Sequence, residues 1–200
     1  MRFANNLGRL IDALKKKGIY DNTTIIYTSD HGCHFKTRNA EYKRSCHDAS
    51  IHIPLVIKGN GFEKGKVENK MVSLIDLPPT MLLSSGINVP ENYQGTAIQI
   101  KSETYCAYVQ ISESQCGRAI RTKDYTYSVS CAKLLSSHSN IYFEDYLYDN
   151  NKDKAQKYNL IKSKDYDEIR ETLKTHLLNQ IEKIEGKIPI ILPRLFAKRK

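Results

Sequence analysis

Apolar positions change their period twice in the first hundred residues. Phe3, Leu7, Leu10, Ile11 and Leu14 recur at helical spacing, Lys15 to Lys17 close the run, and Gly18 follows. This predicts an amphipathic helix with a cationic end and a glycine stop, because lysines offset the partial negative charge at a helix C-terminus. "TIIYTSD" (24–30) and "IHIPLVIKG" (51–59) are apolar without polar alternation. Such runs predict strands buried on both faces, hence a parallel sheet covered by helices. "IDLPPTMLLSSG" (75–86) predicts a helix with Asp76 as its cap, prolines at its start and Gly86 at its end.

From about residue 104 the texture shifts to short, tyrosine-rich runs, "TYCAYVQIS", "GRAIRT", "YTYSVS" and "DYLYD", separated by turn residues. They predict a small antiparallel sheet. Ile169, Leu173, Leu177, Ile181 and Ile184 then make an apolar stripe, which predicts a long helix over about 165–185. "GKIPIILPR" beyond it reads as an extended tail. The expected organisation is α/β: residues 1–103 as part of a mostly parallel sheet flanked by helices, and 104–200 as a small α+β subdomain of antiparallel sheet and long helix.

Composition narrows the function classes. At 40% hydrophobic and 26% charged, the 200 residues are those of a globular protein. No window approaches the roughly 18 apolar residues of a membrane span, so none is expected. "MRFANNLGRL" has no apolar core of a signal peptide, which leaves the location of the complete protein open. A net charge of +9 favours anionic partners. The basic residues are scattered and match no RNA-binding or helix-turn-helix signature, so nucleic acid is not expected. Cys33, Cys46, Cys106, Cys116 and Cys131 form no C-x-x-C pair, and free thiols are expected.

Candidate chemistry begins where the first buried run ends. In open α/β sheets ligands bind beyond the carboxyl ends of the strands, and Asp30, His31 and Gly32 stand there. A carboxylate and an imidazole are both ligands for a divalent metal, with imidazole better suited to zinc than to calcium. Three residues alone also fit an ordinary turn or a helix-capping aspartate.

The next segment changes this. "YTSDHG" followed by "KRSCHDASIHIPL" (43–55) closely resembles the sulfatase branch of the alkaline phosphatase superfamily, which carries Thr-Ser-Asp-His-Gly and then Lys-x-x-x-Tyr-Glu-x-Ser-x-Arg-Val-Pro. "NLGRLIDALKKKGIYDNTTIIYTSDHG", "MVSLIDLPPTMLLSSGINVPENYQGTAI", "GRAIRTKDYTYSV" and "EDYLYDNNKDKAQKYNLI" look like successive parts of the same family, so the resemblance runs from about residue 5 to about 190. It implies an alkaline-phosphatase-like sheet and hydrolysis of a sulfuric ester. It makes Asp30 and His31 ligands of a divalent metal, usually Ca2+ in sulfatases, and Lys43 the contact to the sulfate and its leaving oxygen. His34, Arg38 and Asn39 fall between the two motifs, where substrate-facing loops are expected, with His34 a candidate catalytic contact. His47, Asp48 and His52 stand where the family more often has Tyr, Glu and Arg.

The family's nucleophile, a formylglycine made in a C/S-x-P/A-x-R motif, has no counterpart here. No cysteine or serine of this sequence begins that motif. The expectation is a C-terminal sulfatase portion, inactive by itself, whose formylglycine and further metal ligands belong to an N-terminal half that becomes its partner. The expected ligand is a sulfated small molecule or sulfated glycan. Two alternatives stay open: a phosphohydrolase of the same superfamily using zinc or manganese, and a non-catalytic remnant that binds anionic polymers.

Overall fold

A computed structural model describes residues 2–101, 105–132 and 136–194. The chain divides into two compact units, the described residues of 1–29, 54–69 and 73–102 in the first, and of 30–53, 70–72 and 103–200 in the second. The stretch 30–53 therefore groups with the C-terminal sheet although it precedes that sheet by some fifty residues of chain.

The first unit contains α1 (Arg2–Lys16), β1 (Ile25–Thr28), β2 (Leu55–Lys58) and α3 (Leu77–Ser84), the last entered through a short 3-10 turn at Leu74–Asp76. As the lysine-then-glycine pattern predicts, α1 ends on Lys15 and Lys16, and Gly18 takes a φ of 69°. Asp76 acts differently from the simple helix cap expected of it. Its Oδ2 accepts the Ser73 N–H at 2.8 Å in a capping box around the 3-10 turn, and its Oδ1 accepts the Thr96 N–H at 2.9 Å.

The strand pairing also differs from expectation. β1 and β2 pair antiparallel, with Ile26 opposite Ile57 and Tyr27 opposite Val56. A parallel pair needs a crossover that carries the chain back to the same end. Between these strands lies one four-residue helix, α2 (Asp48–Ile51), and the chain re-enters from the opposite end. Nor are the strands buried on both faces: Val56 is 62% exposed and Tyr27 37%. The α/β class itself stands, with helices and sheet alternating along the chain.

The second unit is built on a five-stranded sheet in the order β3 (Cys106–Ile111), β4 (Gly117–Thr122), β5 (Tyr125–Ser130), β6 (Ile141–Asp149), β7 (Ile190–Leu192). The first four strands are antiparallel neighbours, as the tyrosine-rich runs predict. β7 corrects the reading of 186–194 as a tail, since it adds parallel to β6. α4 (Asp167–Glu185) makes the crossover that parallel pairing requires, and Gly186, at φ 70°, ends it in the left-handed conformation that glycine adopts without strain.

Alternation along the strands gives this sheet two different faces. Ile120, Tyr127, Val129 and Leu147 join Leu173, Leu177 and Ile181 of α4 in the main core. Ala119, Tyr146 and Tyr148 point the other way and pack with Cys46. One face of the sheet thus holds the long helix, and the other holds the stretch that carries the Asp-His motif and Lys43.

Candidate functional site

The stretch 30–53 has almost no regular structure, so side chains must hold it. The Cys46 N–H donates to the Tyr146 hydroxyl at 2.9 Å. The His47 ring stacks on Tyr146 at 4.3 Å between centroids, and its Nε2 lies 3.3 Å from the Tyr148 hydroxyl. Asp48, the first residue of α2, takes both prongs of Arg121, Nε at 2.9 Å and a terminal nitrogen at 2.8 Å. The Asp48 N–H donates to Gln156 Oε1 at 2.7 Å. Arg38 donates to the backbone carbonyls of Ala155 and Gln156. Gln156 is buried with a φ of 52°, and its amide nitrogen reaches Thr126 and Asn150 at 3.0 Å each. Arg44 joins Glu41 at 2.9 Å and Glu113 at 2.5 Å.

The fork between Arg121 and Asp48 is the strongest of these ties, because charge-assisted bidentate pairs exceed neutral hydrogen bonds about twofold. Both side chains are mostly buried. Truncating Arg121→Ala leaves the Asp48 carboxylate short of its partner, and the expected loss is roughly 2 kcal/mol. Urea unfolding reads that loss, and amide exchange at residues 48–51 should accelerate with it. An unchanged midpoint would show that Arg121 does not tether the site.

On this mount three predicted residues come together. Gly32 lets the backbone close in: its N–H donates to Ser50 O at 2.7 Å, and a Cβ there would lie 2.2 Å from Ala49 O. No side chain fits in that space. His31 Nδ1 is 2.7 Å from Gly32 O, so this nitrogen must carry the proton. Its Nε2 therefore offers a lone pair, which the Lys43 ammonium takes at 2.7 Å, while Asp30 Oδ2 lies 3.3 Å away. Asp30 Oδ1 accepts the His31 N–H at 3.0 Å, and the side chain is largely exposed. Desolvation acts to raise the Asp30 pKa, but the His31 charge, backbone N–H groups and Lys43 together outweigh it and hold the carboxyl below its ordinary value.

This arrangement suits part of a metal site. Metal-binding histidines commonly fix one ring nitrogen on a carbonyl and present the other. Here a cation, the lysine ammonium, already sits on the presented nitrogen. One carboxylate and one imidazole fall short of the six to eight oxygens calcium takes. Among the described residues no three His, Cys, Asp or Glu side chains converge to hold a metal.

Of the other three predicted residues, His34 is buried, while Arg38 and Asn39 are half-buried and bonded within the chain. His34 is 2% exposed, and neither ring nitrogen has a hydrogen-bond partner. Burial, with Arg38 nearby, pushes its pKa down, against a backbone hydrogen bond that acts upward. Arg38, expected to face substrate, is spent on the 155–156 carbonyls. Asn39 closes a local turn, donating to Arg44 O at 2.9 Å and accepting the Glu41 N–H at 2.8 Å. The residues that position the site, Arg121, Tyr146, Tyr148 and Gln156, were not foreseen. A signal existed in "DYLYD", where Tyr146 and Tyr148 share one strand face and Leu147 takes the other.

Residues 5–87 match the family model described as Sulfatase. Arylsulfatase K of Bos taurus is 41% identical over 92 residues, which are 46% of this chain and 17% of that protein. A solved structure in complex with its substrate, D-glucosamine-2-N,6-O-disulfate, superposes with a TM-score of 0.73 at 24% identity, covering 92% of this chain and 39% of its own. The phosphonate monoester hydrolase of Agrobacterium radiobacter superposes with a TM-score of 0.72 at 23% identity, covering 90% and 39%. These two likenesses show the fold. The chain spans about two fifths of each of those structures, and the matched stretch under a fifth of the cattle relative.

Proposed function

We infer that this chain, which belongs to the sulfatase family of the alkaline phosphatase superfamily as a C-terminal portion of it, contributes the anion-binding half of a site that hydrolyses sulfate esters. The carrying observation is the cluster in which Lys43 Nζ, His31 Nε2 and the Asp30 carboxylate meet at the solvent face. Asp30 and His31 would hold a divalent metal, calcium in keeping with the family. When bound, that metal draws charge from the sulfate oxygens. Lys43 would then donate to a sulfate oxygen and offset the charge that develops on the leaving oxygen. Gly32 lets the chain double back against Ala49 and Ser50, and Arg121 and Tyr146 keep the segment seated, so that Lys43 stays aimed at the pair. The amino-sugar disulfate bound by the structural neighbour supports a sulfated sugar as the substrate class.

The nucleophile and the remaining metal donors belong to other residues of a complete enzyme. The 200-residue chain alone is accordingly expected to show no turnover of 4-nitrophenyl sulfate. In a complete protein carrying this chain, Lys43→Ala should lower kcat roughly a hundred- to a thousandfold, the usual loss for one charge-stabilising donor. Turnover by the isolated chain that disappears in Lys43→Ala would overturn the inactive-alone reading. Faster cleavage of phosphate than of sulfate esters by the complete protein would move the assignment to a phosphohydrolase.

A further inference from the structure

Beside the charged cluster the same stretch carries two large aromatic side chains in the open. Phe35 is 77% exposed and Tyr42 is 57% exposed. Tyr42 directly precedes Lys43, and the His34 N–H donates to Tyr42 O at 2.8 Å, which brings the backbone of the Phe35 turn close to that of Tyr42 and Lys43. Phe35 and Lys36 have φ values of 50° and 61°. Consecutive non-glycine residues in that region are strained and persist only where their surroundings fix them, a condition common at ligand clamps. Thr37 supplies such a fixing, since its N–H and its hydroxyl both reach His34 O, at 2.9 and 2.5 Å. Lys36 Nζ lies 4.8 Å from the Tyr42 ring centroid and adds a second positive charge at the same rim. A strained turn that holds a phenylalanine in water gains nothing for folding, because burial is where that side chain stabilises a fold.

We propose that Phe35 and Tyr42 form an aromatic platform that takes the apolar face of a six-membered ring whose sulfate ester is held at Lys43. The proposal rests on the sulfate-ester reading above and extends it to substrate selection. Binding sites combine apolar and aromatic walls with few charged groups that fix orientation, and this rim has both. Phe35 and Tyr42 are specificity residues: they touch the ring and leave the reacting bonds to other groups.

The test uses the 200-residue chain, with its aromatic resonances followed by NMR during titration with methyl sulfate, phenyl sulfate, glucosamine 6-sulfate and glucosamine. Ring-bearing sulfates should bind roughly three- to tenfold tighter than methyl sulfate, the range expected from one or two aromatic contacts, and should shift Phe35 and Tyr42. In Phe35→Ala/Tyr42→Ala that advantage should vanish while methyl sulfate binding is unchanged. A ring advantage that survives the double variant overturns the platform, as does a ring ligand that leaves both resonances in place. Lys43→Ala separates the two ideas. If it weakens every sulfate yet glucosamine still shifts Phe35 and Tyr42, both readings stand. If methyl sulfate ignores Lys43→Ala while rings still shift the two aromatics, the platform stands and the sulfate reading falls. Phenyl and sugar sulfates compared with each other show which ring the platform suits.

Discussion

Replacing Arg118 by alanine is expected to destabilise the sheet unit by about 3–5 kcal/mol, the loss typical when one partner of a buried ion pair is removed. Arg118 is 1% exposed yet fully engaged. Its Nε and one terminal nitrogen grip Glu185 at 2.5 and 3.0 Å, and the guanidinium also donates to Gly117 O at 2.8 Å and Ser137 O at 2.7 Å. Glu185 is the last residue of α4, where a negative charge is disfavoured by the helix dipole. The Tyr108 hydroxyl and the Gln110 amide complete its bonds. Burial alone would raise the Glu185 pKa, but Arg118, Tyr108 and Gln110 outweigh it and bring it down to about 2. A carboxylate depressed in the folded state contributes stability above its unfolded value of 4.5, and that contribution is lost as pH falls toward 2. The paired apolar replacement Arg118→Met/Glu185→Leu should recover most of the loss, because it leaves no lone charge inside. Urea unfolding of the single and double variants at neutral pH checks this, and a single-variant loss under about 1 kcal/mol would mean that the pair carries little.

What could be read from the sequence divides along a physical line. An apolar stripe located α4, and short tyrosine-rich runs set off by turn residues located the four antiparallel strands of the second unit, since these elements pack against one another. The antiparallel direction of β1 and β2 was not legible, because each strand has only four residues with one polar position at its end, too few to mark its faces. β7 escaped for the same reason, being three residues whose partner is set only by where α4 delivers the chain. Asp30, His31 and Lys43 stood out through the resemblance of their two segments to the sulfatase motifs, and the structure brings the three side chains together. The engagement of Arg38 was not legible, for it depends on carbonyls at 155 and 156, more than a hundred residues along the chain.

The site segment also carries a built-in sensitivity to acid through His47. Its ring is buried between Tyr146 and Tyr148, with Nδ1 left without a hydrogen-bond partner. Burial, then the charges of Arg38 and His34, push its pKa down to about 3, and Asp48 opposes them only weakly. The folded state therefore keeps this imidazole neutral, while the unfolded chain takes up a proton below its ordinary 6.5. Stability from His47 is complete above pH 6.5 and falls with acidification, at up to about 1.4 kcal/mol per pH unit, for a total of roughly 4–5 kcal/mol by pH 3. His34, also depressed by burial, acts in the same direction. Glu185 joins only below about pH 4.5, so the window from 6.5 to 4.5 belongs to the histidines. His47→Phe keeps the stacking on Tyr146 and removes the titration, and it should flatten the urea-midpoint slope in that window. Equal slopes in the parent and the variant would refute the assignment, as would a histidine resonance titrating near 6.5 at this position. Because Cys46 and Asp48 flank His47 and hold the segment to the sheet, protonation there would unseat Lys43 before the α4 core yields.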